Sequence, residues 1–144
     1  MKLIKYKVKQ FAEIIGGGTP STKNTAYWEG DIPWITPNDL TSFEGVYIEK
    51  GERNITKEGL NQSSAKLLPK KTILLTSRAP VGYVAIAKND LSTNQGFKNL
   101  ICDKNLSDPE FVYYLLKINK KYLQSNSTGS TFGELSASRV KNLY

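Results

Sequence analysis

Histidine is absent from this 144-residue chain, and cysteine occurs only once, as Cys102. Without histidine, the chain cannot form the Ser-His-Asp or Cys-His arrangements that activate a nucleophile, and zinc would lack its usual nitrogen ligands. A single cysteine excludes an internal disulfide bond. No window approaches the roughly 20 consecutive apolar residues that span a bilayer, so we expect a cytoplasmic protein with no membrane partner.

Several motifs of DNA-modifying and nucleotide-binding enzymes are also missing. A nuclease of the common restriction type has an acidic residue two positions before a lysine, and no aspartate or glutamate here has that spacing. The Asn/Asp-Pro-Pro-aromatic loop of adenine methyltransferases is absent, as is the Gly-Lys-Ser/Thr of a phosphate-binding loop. The scattered carboxylates form no pair suited to acid and base roles. We therefore expect a non-catalytic chain with no metal site and no cofactor.

Positively charged residues outnumber negatively charged ones. The chain carries 20 lysines and arginines against 13 aspartates and glutamates, which gives a net charge of +7. Such an excess favours a polyanionic partner, although a basic surface can also serve solubility alone. Arginines are too few to favour guanine recognition by paired arginine contacts, so base contacts would depend on Asn, Gln, Ser, Thr and main-chain groups.

The length fits one domain, residues 1–144, with a single core.

The stretch 16–40 is the most unusual part of the chain. It contains three consecutive glycines, three prolines and both tryptophans, Trp28 and Trp34. Glycine allows close backbone approach, and each proline restrains the residue before it. We expect a rigid, shaped loop, with Trp34 in the core rather than on the surface. The polar side chains at its tip are candidates for binding: Thr19, Ser21, Lys23, Asn24 and Thr25.

This stretch begins a resemblance to a known family. GGTPS followed by YWEGDIPWI (17–35), ITKEGLNQSSAKLLPKKTILLTSRAPVGYVAI (55–86), STNQGFKNLI (92–101) and STGSTFGELSASRVKNL (127–143) occur in one register. Together they resemble the target recognition domain of the DNA specificity subunits of type I restriction-modification enzymes. The similarity covers about residues 8 to 143.

The resemblance implies a fold and a set of partners. The implied fold is α+β, with a curved, mainly antiparallel mixed β-sheet and a few flanking helices, as in methyltransferase target recognition domains. The implied function is sequence-specific recognition of one half of a bipartite target in double-stranded DNA. Methylation subunits carrying S-adenosylmethionine and motor-nuclease subunits would perform the chemistry. The family's usual subunit has two such domains separated by long helices, so we expect this chain to be one half without its spacer helix.

A different class of function also fits the loop. A carbohydrate- or protein-binding module could use the two tryptophans as an aromatic platform, and a sugar-binding module would be almost indifferent to salt. A DNA-binding domain, in contrast, loses affinity steeply as salt rises.

Candidate DNA contacts fall into two groups. Arg78 and Lys98 lie beside turns in shared motifs and are predicted to contact phosphates, although a structural salt bridge is an equal alternative for Arg78. Asn94 and Gln95 either tie loop backbones together, which the shared motif favours, or contact adenine. Base recognition is predicted for the loop tip 21–25, the polar segment 41–54 and the loop 126–131. The candidates in the last two segments are Lys50, Arg53, Ser130 and Thr131.

Several secondary-structure elements can be predicted from local patterns. The apolar run 72–76 predicts a central strand, and Thr56 is a predicted helix N-cap. Segment 41–54 is predicted to be a hairpin or an exposed loop. The spacing of Phe11, Ile14 and Ile15 suits a short helical turn. A helix capped by Ser107 or Asp108 carries one apolar stripe, formed by Phe111, Tyr114, Leu115, Ile118 and Tyr122.

Overall fold

The strand Ile73–Leu75 lies at the centre of the fold. In the computed structural model, which describes residues 8–125, all three of its side chains are fully buried. Antiparallel strands flank it on both sides, Lys98–Cys102 on one and Val84–Ala87 on the other. The apolar run has no polar face because both faces of the strand are covered. The predicted central strand is therefore confirmed.

Eight strands and four α-helices make up the described chain. In order they are β1 Ala12–Gly16, β2 Trp28–Ile35, α1 Pro37–Thr41, β3 Tyr47–Ile48, β4 Arg53–Ile55, α2 Lys57–Asn61, β5 Ile73–Leu75, β6 Val84–Ala87, β7 Ser92–Thr93, β8 Lys98–Cys102, α3 Pro109–Ile118 and α4 Lys120–Ser125. Two 3-10 helices, Val8–Gln10 and Thr25–Tyr27, precede β1 and β2.

The strands are divided between two sheets. The larger has the order β1-β8-β5-β6-β3, and the smaller has the order β4-β2-β7. Pairing is antiparallel except between β3 and β6 and between β2 and β7. The predicted α+β class with mainly antiparallel strands is therefore confirmed.

The core lies on both faces of the larger sheet. Ile73 and Leu75 pack with Val112 of α3 on one face, and Leu74 packs with Phe97 on the other, as the alternation of a strand requires. The smaller sheet has a separate cluster. Its buried members are Trp28, Trp34, Ile55 and Ala65.

Helix α3 begins where predicted, but a different face of the helix is buried. Asp108 caps it by accepting a hydrogen bond from the Glu110 N–H at 3.2 Å, and Pro109 occupies the first position. The helix packs against β6 and buries Val112, Tyr113 and Leu116. The predicted stripe lies on the outer side, where Phe111, Tyr114, Leu115, Ile118 and Tyr122 are exposed. Because α3 is apolar on nearly every side, its spacing fits more than one stripe.

One other local prediction is wrong, and one is met only in its second form. Phe11, Ile14 and Ile15 do not form a helical turn, because β1 extends along β8 with Ile14 opposite Leu100. Segment 41–54, predicted to be a hairpin or an exposed loop, is not a hairpin, and most of its residues are exposed. Its strand β3 joins the larger sheet beside β6, and β4 joins the smaller sheet beside β2. Strands this short gain more by extending an existing sheet edge than by pairing with each other.

Candidate nucleic-acid interface

Three turns from distant parts of the sequence meet at one end of the larger sheet. We call residues 17–19, 77–78 and 94–96 the three-turn cluster. The Gly18 N–H donates to the Thr93 carbonyl oxygen at 3.0 Å, and the Ser77 N–H donates to the Gly96 carbonyl oxygen at 2.8 Å. Main-chain bonds therefore fix the positions of the polar side chains that these turns carry.

Close approach at Gly17 brings the first and third turns together. A Cβ atom at this position would lie 2.2 Å from the Asn94 carbonyl oxygen, so only glycine fits. Gly18 is hydrogen-bonded to Thr93, and at the next residue the Thr19 hydroxyl donates to the side-chain oxygen of Gln95. The structure thus brings together two predicted site residues that are far apart in the sequence.

Asn94 and Gln95 have different surroundings. The Asn94 side-chain oxygen accepts from the Gly96 N–H at 2.8 Å, and the Asn94 N–H donates to the Ile35 carbonyl oxygen at 3.0 Å. Asn94 is half-buried and shapes its own turn, whereas Gln95 is exposed. Of the pair, Gln95 presents the more accessible amide to a ligand.

Two cationic side chains border the third turn. Lys98 opens β8, and its Nζ lies 3.4 Å from the Ser77 hydroxyl. Arg78 follows Ser77 and is exposed. The Arg78 main-chain N–H donates to the Gly96 carbonyl oxygen at 3.4 Å. Two cationic residues therefore lie next to the turn that carries Gln95.

The loop tip 21–25 is held by its own side chains. The Ser21 hydroxyl accepts from the Lys23 N–H at 3.3 Å, and the Asn24 side chain accepts from the Ala26 N–H at 3.0 Å, capping a single 3-10 turn. Ser21, Lys23 and Asn24 are all exposed, so the tip presents hydroxyl, amide and ammonium groups to solvent.

Both tryptophans lie beneath this loop. Trp28 and Trp34 are 6% and 7% exposed, and their rings meet edge to face with centroids 4.9 Å apart. The Trp28 indole N–H donates to the Ser21 carbonyl oxygen at 3.0 Å, and that of Trp34 donates to the Gly18 carbonyl oxygen at 2.9 Å. The tryptophans therefore support the loop, and neither offers the open ring face that a sugar-binding platform needs.

Lys50 lies in the segment between β3 and β4, and Arg53 is the first residue of β4. The Asp39 carboxylate accepts from the Thr36 N–H at 2.8 Å and from the Glu52 N–H at 3.1 Å, so it joins the start of α1 to the segment before β4. Lys50 is exposed next to this junction. The Arg53 guanidinium carbon lies 4.0 Å from the Trp28 ring centre.

Some predicted positions lie outside the described residues, and some important residues were not predicted. Ser130 and Thr131, with the rest of segment 126–131, lie outside the described residues. Asp39 was missed although Thr36-x-x-Asp39 is a capping-box pattern. Glu29, which pairs with Arg53 at 3.3 Å, has no comparable signal in the sequence.

Residues 8–125 contain neither a cluster of side chains that could hold a metal ion nor a helix that could span a membrane. In that part of the chain, no group of three or more His, Cys, Asp or Glu side chains could hold a metal ion. None of the helices between residues 8 and 125 has the length and apolar character to cross a bilayer.

Comparison with known proteins gives a consistent result. The family model described as type I restriction modification DNA specificity domain matches residues 2–144. The type I restriction enzyme MjaIX specificity subunit of Methanocaldococcus jannaschii is 55% identical over 139 residues, which are 95% of this chain and 32% of that protein. This chain spans between a quarter and a third of the length of the curated relatives it matches.

Two solved structures have a similar fold. The HsdS subunit from Thermoanaerobacter tengcongensis superposes with a TM-score of 0.67 at 19% identity, covering 96% of this chain and 31% of that one. A chain from a structure concerned with complex assembly and conformational transition of the type I R-M system gives the same TM-score, also at 19% identity. That match covers 95% of this chain and 32% of the other.

Proposed function

Because this chain belongs to the type I restriction modification DNA specificity domain family, we propose that it recognises one half of a bipartite target in double-stranded DNA. The chain is a recognition component and supplies no catalysis. Its half of the target is bound by the three-turn cluster together with the loop tip 21–25.

The observation that carries this proposal is the convergence of Thr19, Arg78, Gln95 and Lys98 at one end of the larger sheet. A hydroxyl and an amide can bind base edges, while guanidinium and ammonium groups beside them can bind phosphates. The net charge of +7 supports the same partner, since an anionic duplex is attracted to a basic protein.

The contacts divide by chemistry. Arg78 and Lys98 bind phosphates and set the position of the domain on the duplex. The loop tip, Lys50 and Arg53 bind base edges or neighbouring phosphates, and Ser130 and Thr131 of segment 126–131 add further contacts. Residues 22–25 and 41–54 lie between the shared motifs and distinguish one target from another, because the shared motifs build the scaffold.

The chain acts with other subunits in this proposal. Methylation subunits and motor-nuclease subunits of the type I enzyme would modify and cleave DNA at sites that this domain selects, in the cytoplasm. A single domain reads only half of the target, so tight specific binding requires a second half and more buried surface than one module provides. The isolated chain should therefore bind duplex DNA weakly and with little discrimination.

A salt titration tests DNA as the ligand. Duplex DNA is titrated with the 144-residue chain at roughly 50 and 200 mM salt, where each phosphate contact contributes about −0.9 to the slope of log affinity against log salt. We expect a clear loss of affinity at the higher salt. An affinity that is the same at both concentrations would contradict DNA binding.

A loop exchange tests base recognition. In an intact enzyme, residues 21–25 are replaced by the corresponding loop of a relative with another target, and the methylated sequence is determined. One half of the methylated motif should change while the other stays fixed. If activity survives and exchanges of 21–25, 41–54 and 126–131 all leave both halves unchanged, the bases are recognised elsewhere.

A further inference from the structure

Arg53 is held between an aromatic ring and a carboxylate at the border of the candidate interface. Its guanidinium lies on the Trp28 ring at 4.0 Å from the centroid, and its Nη2 lies 3.3 Å from the Glu29 Oε1. We call Trp28, Glu29 and Arg53 the Arg53 clamp. The side chains of Arg53 and Glu29 are 43% and 76% exposed, so a large ligand can reach both.

The backbone of the clamp is irregular at the residue that supplies the carboxylate. Glu29 has a φ of 62°, in the left-handed region that disfavours residues with a Cβ. The pairing of β2 with β4 shifts here, so that Trp28 and Ile32 both lie opposite Ile55. Such a bulge redirects side chains, and at this one the Glu29 carboxylate meets the Arg53 guanidinium.

The chemistry of this pair resembles that of a phosphate contact. A guanidinium binds carboxylates and phosphates through the same N–H edges, and stacking on an aromatic ring orients those edges without using them. The Glu29 carboxylate therefore stands where an external anion could bind. The clamp also adjoins the candidate interface, because the Trp28 indole N–H donates to the Ser21 carbonyl oxygen at 3.0 Å.

We propose that Arg53 binds a backbone phosphate of duplex DNA by exchanging Glu29 for that phosphate. Glu29 is then an internal competitor that lowers affinity for duplexes of any sequence. This inference rests on the proposed DNA-binding function, and it assigns Arg53 to a phosphate and Glu29 to the control of affinity.

Charge removal at Glu29 tests the competition. Glu29→Gln should tighten binding to a labelled duplex of arbitrary sequence by roughly two- to five-fold, the range expected for loss of an exposed ion pair. Glu49→Gln is the matched control, because Glu49 Oε2 forms a similarly exposed pair with Lys88 Nζ at 3.7 Å and carries the same charge. We expect Glu29→Gln to have at least about twice the effect of Glu49→Gln.

The Arg53→Ala background shows whether the effect acts through the guanidinium. There, Glu29→Gln should tighten binding no more than Glu49→Gln does, and Arg53→Ala alone should reduce the salt slope by about 1. Glu29→Gly is a second variant that also removes the carboxylate, and glycine suits the left-handed φ. It should tighten binding as Glu29→Gln does.

The outcomes separate the two proposals. If the wild-type chain binds DNA but Glu29→Gln and Glu49→Gln have equal effects, the competition is refuted and DNA binding stands. The competition is also refuted if the advantage of Glu29→Gln persists without Arg53. Absence of salt-dependent binding by the wild-type chain refutes both proposals.

Discussion

Gly17→Ala should destabilise the domain and loosen the three-turn cluster, whereas Gly16→Ala should do neither. The two glycines are adjacent, but their surroundings differ. A Cβ atom at Gly17 would lie 2.2 Å from the Asn94 carbonyl oxygen and 2.4 Å from that of Thr93, while nothing lies within 4 Å of a Cβ at Gly16. Gly16→Ala is therefore a control that adds the same methyl group one residue away.

The magnitude follows from the contacts that must give way. The Asn94 N–H donates to the Ile35 carbonyl oxygen and holds the Thr93–Asn94 backbone in place. The loop that contains Gly17 therefore has to move instead. Overpacking costs about 1–3 kcal/mol, and a weakened buried hydrogen bond, such as Gly18 to Thr93, costs about 0.5–1.5 kcal/mol. The sum is about 1.5–4.5 kcal/mol, which lowers the Tm of a domain of this size by roughly 5–15 °C.

Thermal unfolding followed by circular dichroism measures the difference. Gly16→Ala should stay within about 1 kcal/mol of wild type and can stabilise slightly, because alanine restricts the unfolded chain. Duplex affinity should fall for Gly17→Ala at a temperature where it is folded, since displacement of the loop separates Thr19 from Gln95. Equal melting temperatures for the two variants would refute the role assigned to this close approach.

Two further predictions concern single side chains. Arg78→Ala and Lys98→Ala should each weaken binding to all duplexes about equally and reduce the salt slope by roughly 1. The control is Lys104→Ala, beyond the far end of β8, which should change neither the affinity nor the slope. A change in the preferred bases would contradict a phosphate role for Arg78 or Lys98. The Tyr47 hydroxyl donates to Glu110, which raises the pKa of Tyr47 from 10.0 to about 12. Ultraviolet titration should find this late ionisation, and Glu110→Gln should lower the pKa towards 10.0. The stabilisation by the Tyr47–Glu110 hydrogen bond is present below pH 10.0 and is lost as pH rises through about 12. An unchanged Tyr47 pKa in Glu110→Gln would contradict the pairing.

The elements with strong local signals could be predicted from the sequence. The run 72–76 is apolar at every central position and is the buried β5. The Thr56 side chain accepts from the Gly59 N–H at 3.0 Å and caps α2, as its position before a helical segment indicates. Asp108 and Pro109 likewise define the start of α3. Each of these features depends on neighbours within a few residues.

Features that depend on distant partners could not be predicted in this way. The spacing in α3 indicates apolar residues, but the position of β6 decides that Val112 and Leu116 are buried and Phe111 is not. The separation of β3 from β4 depends on which sheet edge each one meets.

The same limit applies to the site. Polarity marked Thr19 and Gln95 as candidates, but their hydrogen bond spans 76 positions in the chain. No local pattern indicates that Arg53 lies on Trp28, because that contact follows from the pairing of β2 with β4.

The two indole N–H groups beneath the loop both donate to main-chain carbonyl oxygens, those of Gly18 and Ser21. A carbonyl oxygen is present whatever side chain its residue carries. Exchanges at Lys23 or Thr25 therefore alter the chemistry of the surface without removing the bonds that hold the loop. In evolutionary terms, positions 23 and 25 can diversify while the tryptophans beneath them remain under separate selection for folding, so a new specificity at these positions need not sacrifice stability.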